Sequence, residues 1–109
     1  MAQSYSLQWQ ARPEYWIPAT HSHDQALDLV LASARQAGLD LVELDQPQRW
    51  SDDFGVLTQH YPGAYFGLGA GDDCGHLHGP DYDFPDAILG PALHVLWGII
   101  TRLNTPGRG

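Results

Sequence analysis

Residues 64 to 71, Ala-Tyr-Phe-Gly-Leu-Gly-Ala-Gly, decide how the fold is read. Ala64 to Leu68 is a short apolar, aromatic run closed by glycines, the pattern of a buried strand. Before it, Ser51 is placed to cap a short helix through about Gln59, with Asp52 and Asp53 favourable in its first turn. Working outward, Leu39 to Leu44 reads as another strand, ended by Gln46-Pro47. Ser4 to Gln10 alternates Tyr5, Leu7 and Trp9 with polar residues, the period of a half-buried strand.

Two longer helices complete the order. Ser22 followed by Gln25 has the capping-box pattern, so a helix is expected from about His23 to Ala37, stopped by Gly38. Its stripe is Leu27, Val30, Leu31 and Ala34. Pro85 and Asp86 suit the start of the last helix, with a kink or restart expected at Gly90-Pro91. Leu93, Val95, Leu96, Ile99, Ile100 and Leu103 make that helix apolar enough to be buried on more than one side. The order strand, helix, strand, short helix, strand, helix predicts an α/β fold.

Bulk composition narrows the function. A chain of 109 residues with 43% hydrophobic content is one compact domain or a piece of a larger one. Five Lys plus Arg stand against thirteen Asp plus Glu, for a net charge of −8. Nucleic acid and anionic membrane surfaces are therefore poor partners, because both need a basic patch. No run approaches the roughly 18 apolar residues of a membrane span, and no signal peptide opens the chain. A lone Cys74 forms no internal disulfide, which leaves the cytoplasm as the default compartment.

The densest group of ligand types is Asp72-Asp73-Cys74-Gly75-His76-Leu77-His78, followed by Asp81 and Asp83. Zinc or manganese accepts such groups, and His-x-His places both rings on one face of an extended segment. The spacing matches no self-contained metal site, and a solvated loop is the competing reading. His21 and His23 flank a helix start, His60 sits at a turn, and His94 lies within an apolar helix. Gly67, Gly69 and Gly71 permit close backbone approach of a ligand, but they lack the Lys and Ser/Thr of a phosphate-cradling loop.

Three motifs stand in order: Trp50-Ser51-Asp52-Asp53-Phe54, then Pro62-Gly63-Ala64-Tyr65-Phe66-Gly67-Leu68-Gly69-Ala70-Gly71, then Leu77-His78-Gly79-Pro80-Asp81-Tyr82-Asp83-Phe84. Together they resemble the C-terminal end of the amidohydrolase/aminoacylase/carboxypeptidase family of dinuclear metallopeptidases, which includes hippurate and auxin-conjugate hydrolases. That family pattern runs Ser-Glu-Asp-Phe, a Pro-Gly-Ala-aromatic strand ending Leu-Gly-Ala-Gly, and a Leu-His-x-Pro-x-aromatic-Asp-Phe turn. The likeness covers roughly residues 15 to 103, and Asp52 stands where the family has Glu.

The resemblance implies that His78 is a metal ligand, for zinc or manganese. It implies that Gly69, Ala70 and Gly71 line a substrate cleft shaped also by Ser51 and Asp53. The substrate would be a small N-acyl amino acid or a peptide, cut at its amide bond. The family's upstream His motif, its Cys-Gly-His motif and its Glu-Glu pair have no counterpart here, and Cys74-Gly75-His76 lies in the wrong loop to supply one. The resemblance thus makes residues 1–17 the last strand and connector of a lid domain, and 18–109 the C-terminal part of a catalytic domain. On this reading the chain is inactive alone and needs a missing N-terminal portion. The alternative is a non-enzymatic α/β module that forms a homodimer through its N-terminal strand, its metal site a relic.

Overall fold

The computed structural model describes residues 8–49 and 52–105. Among them the regular elements are all helical: α1 (Asp24–Gln36), α2 (Phe54–Thr58), a 3-10 turn (Asp86–Ile88) and α3 (Leu89–Asn104). The expected α/β fold is therefore corrected, since no described residue lies in a strand.

Each missing strand has a physical reason. A strand exists only when a neighbour takes its backbone donors and acceptors. At the expected strand 64–68 and just before it, two backbone donors go to side chains instead. Tyr65 N–H donates to Ser22 Oγ at 3.1 Å, and Gly63 N–H donates to His23 Nδ1 at 3.2 Å. One backbone bond joins the two segments, from His23 N–H to Gly63 O at 2.9 Å. At 39–44, Leu39 N–H is spent closing α1 and the rest finds no ladder partner among the described residues; Val42 is 82% exposed. Of the expected strand at Ser4 to Gln10, residues 4–7 lie outside the described residues, and Trp9 is exposed.

The α1 helix matches its expected span within a residue at each end. His23 rather than Ser22 is the N-cap, and its ring makes no cap bond because Nδ1 is turned to Gly63. Asp24 in the first turn and Arg35 in the last complement the helix dipole. The stop is a Schellman closure: Gly38 adopts φ 70°, Leu39 N–H donates to Ala34 O at 3.1 Å, and Gly38 N–H to Arg35 O at 3.0 Å.

The last helix restarts one residue earlier than expected, at Leu89, after the 3-10 turn. Pro91 then falls in the first turn, where its missing N–H is no loss. The α1 and α3 helices pack together with Val30, Ser33 and Ala34 buried on one side and Val95 and Gly98 on the other. Arg102 closes the end of this pair, donating to Gln36 Oε1 at 2.7 Å and to Ala32 O at 3.4 Å.

A second unit forms where α2 sits on the connector before α1. Pro18 and Gly55 are both buried, and a Cβ on Gly55 would run into the Pro18 carbonyl. The core stays small. Val30, Ala34 and Val95 are the buried hydrophobic side chains among the described residues. The expected burial of the last helix on more than one side is overturned, because Leu93, Leu96, Ile100 and Leu103 remain exposed. The radius of gyration is 19.5 Å. A compact domain of this length has one of about 13 Å.

Candidate functional site

His78 lies in a turn built by the chain around it. Asp83 N–H donates to Cys74 O at 3.0 Å and closes the base of the loop. Above it, Gly79 N–H donates to His76 O at 2.7 Å, and Tyr82 N–H to Gly79 O at 3.3 Å. These bonds hold His78 at φ 67°, the one non-glycine among the described residues in the left-handed region. That conformation costs an L-residue about 1–2 kcal/mol, although histidine visits it more readily than most. The imidazole is exposed. His76 beside it is exposed as well, and the Cys74 thiol points back to Gly71 O at 3.5 Å and Gly75 O at 3.6 Å.

The glycine segment leads into this turn. Gly69 is exposed, Ala70 is half-buried, and Gly71 takes φ 82°. A Cβ added at Gly67, Gly69 or Gly71 would meet nothing within 4 Å. Among the described residues, then, the space that a side chain would take at these three glycines is open, as a ligand-lining segment requires.

The acidic motif has rearranged relative to expectation. Ser51 lies outside the described residues. Asp53 is the N-cap residue of α2 but makes no side-chain cap bond, and it is exposed. Asp52 does the work foreseen for its neighbours. Its Oδ1 accepts from Phe54 N–H at 2.7 Å, and its Oδ2 accepts from the Tyr65 hydroxyl at 3.4 Å. The Phe54 and Tyr65 rings lie 5.3 Å apart at 51°, a tilted aromatic pair. Asp52, Asp53, Phe54, Val56 and Leu57 line a shallow, open depression of about 570 Å³.

Sequence reading brought out neither the Asp52–Tyr65 contact nor the His23–Gly63 clasp. Both join residues far apart in the chain, and no local pattern marks them.

A zinc site takes four ligands in a tetrahedron, or three with an open position for water. Among the described residues no three of His, Cys, Asp and Glu come together to hold an ion. Among the described residues His78, His76 and Cys74 are thus not gathered into a three-ligand set. No helix among the described residues is long and apolar enough to cross a membrane. No protein-family model, curated protein or solved structure matches the chain.

Proposed function

We propose that this chain is the C-terminal segment of a metal-dependent hydrolase of amide bonds, acting on N-acyl amino acids or peptides, and that it is inactive alone. The observation that carries the reading is the backbone of His78. The residue picked out by the Leu-His-x-Pro-x-aromatic-Asp-Phe motif is also the one non-glycine held at positive φ among the described residues. Strain of this kind collects at ligand clamps and catalytic sites, where surrounding bonds over-determine it.

In this reading His78 is one ligand to zinc or manganese, and a further portion of polypeptide brings the other ligands and the general base. Gly69, Ala70 and Gly71 flank the substrate from their open side. Asp53 and Ser51 shape the rim near α2. The small core supports the same picture, since three buried hydrophobic side chains among the described residues leave most of their apolar surface for another body to cover.

The test is hydrolysis of N-acetyl amino acids in Zn²⁺ or Mn²⁺ by the native gene product and by the isolated 109 residues. The isolated chain is expected to show no turnover and no stoichiometric metal. The native product is expected to be active and to lose activity in His78→Ala. Turnover by the isolated chain overturns the claim of inactivity. A native product that is inert with both metals overturns the hydrolase reading.

A further inference from the structure

Helix α3 has two faces, and one of them is uncovered. Val95 and Gly98 are buried against α1. On the far side Leu89, Leu93, Leu96, Ile100 and Leu103, with Trp97 beside them, are each 48–66% exposed. The first five recur at steps of four, three, four and three residues. That is the heptad seam of two helices in knobs-into-holes contact, narrower than the broad stripe of a helix lying on a globular core.

We propose that this seam is a self-association surface, and that two copies of the chain pair α3 against α3, antiparallel, about a two-fold axis near Leu96. Three observations favour a second copy. The seam is the one apolar heptad stripe exposed among the described helices, so the surface that complements it in shape is itself, as a two-fold interface requires. The five seam side chains and Trp97 beside them expose on the order of 650 Å², close to the ~800 Å² each partner of a standard interface buries. The seam also carries no charge. Helix α3 contains no acidic residue, and its Arg102 is engaged with Gln36 and Ala32 of α1. Two chains of net charge −8 can therefore meet here without bringing like charges together. The antiparallel sense sets each positive helix N-terminus beside the partner's negative C-terminus, whereas the parallel sense pairs like ends. A lipid surface is the poorer fit, since five basic residues stand against thirteen acidic ones.

The proposal rests on α3 alone and is independent of the hydrolase reading. Sedimentation equilibrium of the 109-residue chain at micromolar concentration is expected to give twice the monomer mass. The double variant Leu96→Glu/Ile100→Glu is expected to sediment as a monomer with unchanged helical circular dichroism. Orientation is read by cross-linking in a Cys74→Ser background. Leu96→Cys alone, or Leu89→Cys mixed with Leu103→Cys, should form disulfide dimers, and Leu89→Cys alone should not. A wild-type monomer at all concentrations overturns the proposal and leaves the seam to another portion of polypeptide. A dimer that survives the double variant overturns it too, and cross-linking by Leu89→Cys alone overturns the antiparallel arrangement.

Discussion

Gly98 of α3 sits directly over Ser33 of α1, so that a Cβ on Gly98 would stand 3.0 Å from Ser33 Cβ and 3.1 Å from its hydroxyl. Ser33 cannot easily yield, because its Oγ already donates to Leu29 O at 2.7 Å. A glycine inside a helix costs about 1 kcal/mol relative to alanine, so close approach of the helices offsets a propensity loss. Gly98→Val is expected to destabilise the pair by about 1–3 kcal/mol through overpacking. Gly98→Ala, where propensity and crowding oppose, should stay within about 1 kcal/mol of wild type. Urea denaturation followed by circular dichroism measures both, and Ser33→Gly should recover part of the valine loss.

Gly55 has less room still, since its Cβ would meet the Pro18 carbonyl. Gly55→Ala is expected to push α2 off the connector at a cost of about 1–3 kcal/mol to that unit. Amide exchange at His23, whose N–H donates to Gly63 O, reports the loss. Exchange within α3 should not change. Equal loosening of both units would contradict their separate packing.

Relief of the His78 backbone should stabilise its turn. His78→Gly removes the left-handed penalty of about 1–2 kcal/mol, and His78→Val should raise it. The probe is exchange of the Asp83 N–H, which donates to Cys74 O at the base of the loop. It is expected to slow in the glycine variant and quicken in the valine one. If His78 serves as a ligand, the glycine variant gains local stability and loses function together, a signature that a merely structural residue would not give.

Ser22 and His23 act as substitutes for a strand, accepting from Tyr65 N–H and Gly63 N–H. Ser22→Ala and His23→Leu are each expected to cost about 1 kcal/mol, the net worth of a typical hydrogen bond. His23→Asn, whose side-chain oxygen also accepts, should recover part of the loss. Proteolysis near Gly63 follows the series, and indifference of the cleavage rate to all three variants would remove the clasp from the account.

Helix content was legible in the sequence because its signals are local. Gly38 ends α1 through bonds to residues three to five positions back, and Leu27 to Ala34 carry the period. Strand content was not legible, because Ala64 to Leu68 and Leu39 to Leu44 have strand chemistry with no strand beside them among the described residues. Their pattern says what the segments would bury, and only a neighbour decides whether they pair. The candidate site divides the same way. His78 was found through its motif, and its φ of 67° adds an independent mark. Asp52, not Asp53, holds the contacts at α2, because its carboxylate accepts from Phe54 N–H two residues on and from the Tyr65 hydroxyl, a residue far along the chain that no local pattern marks.

The sparse core has a cellular consequence. With Val30, Ala34 and Val95 as the buried hydrophobic side chains among the described residues, little stability comes from that interior. Association that stabilises only the folded form acts by mass action, so the folded fraction follows the concentration of whatever covers the exposed surface. Unaccompanied copies spend more time open and are the ones proteases remove. With a second copy as that cover, the folded fraction rises with the chain's own concentration, so its level in a cell would fall more than proportionately when synthesis drops.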